Sequence, residues 1–157
     1  MKRVVVTGMS GISPIGSNWE QIRSNLTVEK TGVTYMSEWD KYAELNTRLA
    51  GPVTDFVKPA HYSRKVTRSM GRGSLMATAA TEHALSQAGL LNNECLLDGR
   101  CGVSYGSCMG DSNAVAAFGH MLINNNIGGL NANSYLKMMP HTATVNVGVF
   151  FGLKGRA

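Results

Sequence analysis

Charge is scarce in this chain. Asp, Glu, Lys and Arg together make up 16% of the 157 residues, where about 25% is usual for a globular domain. Hydrophobic residues make up 43%, and there are 18 glycines. That balance suits a piece of a larger body whose polar surface lies elsewhere; the alternative is a small, well-buried α/β domain. Long apolar runs are also missing. No stretch reaches the ~18 residues needed to span a bilayer. Three valines after Met1-Lys2-Arg3 are too few for the apolar region of a signal peptide. Cys95, Cys101 and Cys108 are odd in number and fit no metal spacing. They read as reduced thiols in a cytosol. Acids stop altogether after Asp111, which leaves the last third of the chain without a carboxylate to orient a catalytic histidine.

Cations are in surplus, 15 against 10 acids for a net charge of +5, and they are unevenly spread. From Phe56 to Thr81 there are five (Lys58, Arg64, Lys65, Arg68 and Arg72) together with His61, and no acid. Such a patch asks for an anionic partner. Arg64, Lys65 and Arg68 fall where a long helix is expected to begin, and there the macrodipole disfavours cations by ~0.3–1 kcal/mol each. A local rule broken three times points to a partner. Nucleic acid fits poorly, because no aromatic residues are interleaved and no recognition motif is present.

The pattern predicts a layered α/β arrangement. Val4-Val5-Val6 reads as a strand over 3–8 buried on both faces. Ser17 and Glu20 have capping-box spacing and predict a helix through Leu26 with Trp19, Ile22 and Leu26 on one face. Residues 28–61 hold no sustained period and read as an excursion with a short strand near Leu49–Val53. Ser63 or Ser69 opens the longest helix, which Gly89 ends, with Met70, Ala77, Ala80, Ala84 and Ala88 lining one face. Asp98-Gly99 turns into a second strand, Cys101–Tyr105. Asp111 or Ser112 caps a helix through Leu122, and residues 124–133 read as a loop. Residues 142–151 suit a strand by propensity and a buried helix equally well.

Two glycine motifs invite chemistry. Gly8-x-x-Gly11-x-x-x-x-Gly16 follows a strand but has the wrong spacing for a dinucleotide fingerprint. Gly106-Ser107-Cys108-Met109-Gly110 has the form of a nucleophile elbow. Cys108 there would need a base and an acid, and only His120 and His141 follow it. His61, His83 and His141 have no acid or cysteine at ligand spacing and read as structural or surface residues. Met109 and Met138-Met139 are flexible thioethers suited to core gaps or to alkyl chains.

Val4–Gly16, the long helix ending Ala88-Gly89-Leu90, Gly102–Gly110 and Phe151–Gly155, in that order, resemble the beta-ketoacyl-[acyl-carrier-protein] synthases. These are condensing enzymes of the thiolase fold. The resemblance runs from Arg3 to Ala157. It implies the N-terminal half of that fold, layered α/β with a mixed sheet and incomplete here, with 28–61 as an excursion within it. It settles 142–151 as a helix. It implies a decarboxylative condensation of malonyl-carrier protein with an enzyme-bound acyl group in fatty-acid, polyene or polyketide synthesis. The catalytic cysteine and two further catalytic residues are expected beyond Ala157, so residues 1–157 alone are expected to be inactive and poorly soluble.

What transfers onto this chain is supportive. Lys65 and Arg68, with Arg64 beside them, match positions that dock the acidic carrier protein. Met109 matches an acyl-pocket gate, with Cys108 next to it where relatives have glycine. Met139 and Met138 match the region closing the partner's pocket across a dimer. The resemblance implies no cofactor, no metal and no membrane insertion. It implies a cytoplasmic homodimer, or a heterodimer with a homologous subunit. The sequence departs from the family pattern at Gly71, where relatives carry aspartate, and at Asp111, where they carry glycine. Two other readings stand beside this one: a chain-length-factor-like subunit that shares the fold without the chemistry, and a Cys108 hydrolase.

Overall fold

The computed structural model describes residues 3–157. They form two compact units: Ser10–Val57, and Lys58–Ala157 together with the stretch ending at Met9.

In the first unit the chain turns sharply at Ser13 and Gly16, whose backbones exchange hydrogen bonds of 2.9 and 3.1 Å. Helix α1, Trp19–Thr27, follows. Its cap is Asn18, which accepts from the Gln21 amide, while the Gln21 side chain accepts from Ser17 N. The cap expected at Ser17 therefore falls on Asn18, since Asn is as good a cap as Ser, and the side chain that reaches back is Gln21, to Ser17 N, in place of the expected Glu20. Strands β1 (Thr34–Tyr35) and β2 (Leu49–Ala50) pair antiparallel, Thr34 opposite Ala50. The short strand expected near Leu49 is thus present. Asp40 closes the hairpin, accepting from the Tyr35 hydroxyl and pairing with Arg48 Nε at 3.1 Å.

The second unit is helical. It contains α2 (Arg64–Thr67), α3 (Arg72–Gln87), α4 (Ser112–Asn124), α5 (Ala132–Met138) and α6 (Thr142–Phe151). α3 packs on α6, and α4 on α5. α3 buries Ser74, Ala77, Thr78 and Ala79, and α6 buries Thr142, Ala143, Asn146 and Val147. These are small side chains, so the two backbones come close. The Thr78 hydroxyl returns its bond to the Ser74 carbonyl at 2.8 Å, so its burial leaves no orphan. Tyr62 is fully buried, its ring 4.6 Å from that of Phe150.

The alanine side of α3 accepts backbone instead of side chains. A Cβ on Gly8 would lie 3.2 Å from the Ala88 Cβ and would collide with the Ala84 carbonyl. Residues 142–151 are helical despite their strand propensity, since burial of one face outweighs a local preference of about 1 kcal/mol or less. Gly152, at φ 67, takes the left-handed turn that ends α6.

Several expectations are corrected. Residues 3–8 and 101–105 form no ladder among the described residues, and Val4 is 93% exposed. A strand's polar groups need a neighbouring strand, and the only sheet among the described residues is the β1–β2 pair. The 101–103 stretch instead bonds to residues near the C-terminus, Val103 N to the Arg156 carbonyl at 2.8 Å and Gly155 N to the Cys101 carbonyl at 3.0 Å.

The long helix is two helices. Gly71 adopts an extended ψ of 177°, and the Ser69 hydroxyl bonds Asn146 Oδ1 at 2.8 Å. That tertiary bond and a flexible glycine interrupt the helix between α2 and α3. α4 runs two residues past the expected Leu122. α5 arises within and beyond the expected 124–133 loop, opened by a capping box of Asn131 and Ser134.

Candidate functional site

The basic run is built on α2 and its exit. Arg64, Lys65 and Arg68 are all exposed, and none belongs to an ion pair among the described residues. Arg68 follows α2 with helical angles, φ −61 and ψ −28, so Lys65 and Arg68 stand one turn apart on one face. The helix break lessens the electrostatic conflict expected here, because Arg64 and Lys65 open a helix of only four residues. The three cations do not sit at the start of the long helix. Arg64 and Lys65 lie on a separate single turn, and Arg68 lies at its C-terminal end, where positive charge is favoured. What favours a partner is therefore their exposure and the acid-free run of sequence around them, not a broken helix rule.

Lys58 and His61 are engaged elsewhere. The Lys58 ammonium donates to the Tyr62 carbonyl. His61 Nε2 meets Glu82 Oε1 at 2.8 Å, a contact across 21 positions that no local spacing announces. The Tyr62 hydroxyl donates to the other Glu82 oxygen at 2.8 Å. Burial and that carboxylate hold the Tyr62 phenol well above its ordinary pKa.

The glycine turn 106–110 lies against the end of α5. Asp111 N donates to the Lys137 carbonyl at 2.8 Å, and a Cβ on Gly110 would run into the Met138 carbonyl. Met109 is 55% exposed, with the Ser107 hydroxyl bonded to its carbonyl at 2.7 Å. Met109 and Met139 line one small cavity of about 30 Å³ with Gly71, Asp111, Pro140 and Ala143. Met138 points the other way. It lines a separate apolar groove of about 360 Å³ between α4 and α5, with Phe118, Met121, Ile127, Leu130 and Tyr135. The structure thus brings Met109 and Met139 together and parts Met138 from them.

Cys108 is an exposed free thiol. The strand that a nucleophile elbow requires is not formed before it. Asp111, the last acid in the chain, is bound to backbone amides. His120 Nδ1 faces Asn124 Nδ2 at 3.1 Å. Among the described residues no three His, Cys, Asp or Glu gather as metal ligands, and no helix is long and apolar enough to cross a membrane. Gly71 and Asp111, the two positions expected to depart from the family pattern, lie side by side. Sequence reasoning missed this contact, and it missed α5. The Asn131-x-x-Ser134 spacing was the signal for α5; nothing local signals a contact across 39 positions.

The helical unit thus carries an exposed turn of cations on α2, and cavities lined by methionine at the Gly71–Asp111 junction and between α4 and α5. Residues 1–157 match the family described as the beta-ketoacyl synthase N-terminal domain, and the chain belongs to that family. Its fold is the N-terminal part of a thiolase-like ketosynthase.

It is similar to 3-oxoacyl-[acyl-carrier-protein] synthase 1 of Haemophilus influenzae, 33% identical over 71% of this chain and 27% of that one. It is 29% identical to 3-oxoacyl-[acyl-carrier-protein] synthase 2 of Staphylococcus aureus, over 98% of this chain and 37% of the relative. Among solved structures it is similar to a beta-ketoacyl synthase from Burkholderia phymatum. That match has a TM-score of 0.91 and 47% identity, and covers 99% of this chain and 38% of the other. A ketosynthase/chain length factor at 21% identity and a TM-score of 0.77 shares the fold. The chain therefore spans between 27% and 38% of the length of these proteins.

Proposed function

We propose that the protein carrying this chain is an acyltransferase that joins carbon units held on an acyl carrier protein. In this reading malonyl-carrier protein loses carbon dioxide, and the carbanion so formed attacks the acyl thioester on the enzyme, making a carbon–carbon bond as the carbon–sulfur bond breaks and the enzyme thiolate leaves. The observation that carries the proposal is the exposed, acid-free turn of Arg64, Lys65 and Arg68 in a chain of the beta-ketoacyl synthase family.

The residues here hold the carrier and the cargo; the nucleophile is supplied elsewhere in the protein. Lys65 and Arg68 form a two-pronged cationic edge. Exposed charges of one sign steer an acidic partner and fix its approach more than they raise final affinity. Met109, flexible and half in solvent, stands at the mouth of the small cavity it shares with Met139. An unbranched thioether there can swing aside for an alkyl chain and close behind it. Met138 and the α4–α5 groove supply a second apolar surface, proposed to face a like subunit. The reading places the work in the cytoplasm, where the free thiols Cys95, Cys101 and Cys108 stay reduced. Acyl carrier protein and a dimer partner follow from the same reading.

The test is binding of acyl carrier protein to the protein and its Lys65→Glu/Arg68→Glu variant across a salt series. Two reversed surface charges are expected to weaken binding about tenfold at low salt, with the gap closing as salt rises. Equal affinity of the two proteins at low salt would refute the docking role. Condensation assayed with malonyl- and acyl-carrier protein tests the activity itself. Its absence from a protein that still binds the carrier favours the chain-length-factor-like reading.

A further inference from the structure

Three helix ends meet at Asp111. The start of α4 lies directly after it, and Asp111 Oδ1 accepts from the Ala114 amide at 3.0 Å. The start of α3 lies beside it, and Asp111 Oδ2 accepts from the Arg72 amide at 3.2 Å. The end of α5 receives its backbone N–H, donated to the Lys137 carbonyl at 2.8 Å. The N-cap of α3 is Gly71, which has no side chain with which to cap its own helix. The missing acceptor comes from 39 positions away. The space explains the glycine: a Cβ on Gly71 would lie 2.5 Å from the Asp111 Cβ and 2.7 Å from its Oδ2. Room exists for one side chain, and it belongs to Asp111.

We propose that Asp111 is a positioning residue whose two carboxylate oxygens cap α3 and α4 together, with Gly71 bare so that it can do so. The pair locks the Ser107–Gly110 turn, which carries Met109, to the start of α3. It also places the α2 exit and the methionine cavity on one rigid junction, since Ser69, two residues before Gly71, is tied to Asn146 of α6. This inference stands on the contacts alone and does not depend on the identity of any partner.

The chemistry of the two oxygens gives a selective test. A carboxylate can accept from two amides at once. A carboxamide has one acceptor and one donor, so it can satisfy only one of them. In the protein carrying this chain, Asp111→Ala is expected to speed backbone amide exchange at both Arg72 and Ala114 by about fivefold. Asp111→Asn is expected to speed it at one of the two and leave the other near the parent rate. Wild-type exchange at both amides in Asp111→Asn would overturn the shared cap.

The steric half is tested by a cycle. Gly71→Ala is expected to lower the melting temperature by several degrees when Asp111 is present, and to cost little more when introduced into Asp111→Gly, where its methyl group has room. An equal loss in both backgrounds would overturn the pairing. If Gly71→Ala does not fold, recovery of soluble protein in Gly71→Ala/Asp111→Gly supports the pair, and failure of the double variant to recover while Asp111→Gly alone folds refutes it.

Discussion

The unit Ser10–Val57 and the helical unit that follows are held together by different means. Every buried apolar residue among the described residues (Tyr62, Met70, Ala77, Ala79, Leu96, Ala114, Ala143 and Val147) lies in the helical unit. The first unit has none. Its order comes from polar ties: the Asn18 cap, Asn25 Nδ2 on the Ile15 carbonyl at 2.6 Å, and Asp40 between Tyr35 and Arg48. Close backbone contact adds to them, since a Cβ on Gly32 would meet Pro14 Cβ at 2.5 Å. Such ties specify a shape, but each contributes only about 0.5–1.5 kcal/mol. The comparison teaches where sequence change is tolerated. Stability resides where side chains are sealed from water, while the first unit keeps its outline through hydrogen bonds that solvent can replace.

The sharpest way to break that comparison is to open the sealed side. Tyr62→Ala leaves a cavity beside Phe150 and strips Glu82 of a donor. It is expected to cost about 3–5 kcal/mol, read as a fall in the denaturant midpoint at unchanged slope. A loss under about 1 kcal/mol would show that the helical core is not what holds the unit.

A smaller effect follows from the raised phenol. Because the fold favours protonated Tyr62, its contribution is complete below the unfolded phenol pKa of about 10. It is lost as pH rises from there through the higher folded value. Stability should therefore fall more steeply above pH ~10 in the parent than in Tyr62→Phe. Parallel alkaline profiles would discount the buried phenol.

The smallest change belongs to the first unit. Trp19 is 58% exposed, and Trp19→Ala should stay within about 0.5 kcal/mol of the parent. A large loss would mean that the exposed ring is covered in the working protein.

Much of the helical unit was legible before the structure. Asp111 caps α4 as its residue type and position suggest, and Gly89 and Gly152 take left-handed turns after α3 and α6. Helix α6 was not legible from propensity, because Thr, Val and Phe favour a strand; the resemblance to ketosynthases carried that reading. The strand expected at Val4–Val6 reads correctly as apolar but has no ladder, since the pattern of one segment cannot say which neighbour pairs with it. For the candidate site, the sequence showed the cations and the methionines. It did not show that Lys58 and His61 are occupied by Tyr62 and Glu82, or that Met138 and Met139 open onto different cavities. Adjacent residues on a short helix end point in different directions, and only the packing of α4 against α5 decides what each one meets.

Local chemistry alone determined the Asp111 cap of α4, the glycine turns, the acid-free basic stretch and membership in the ketosynthase family, because each is written within a few neighbouring residues or in the order of short motifs. Tertiary structure decided the break between α2 and α3, the pairing of His61 with Glu82, and the junction at Asp111. Those depend on atoms brought within bonding distance across 21 to 77 positions of chain, and no local preference encodes contacts at such separations.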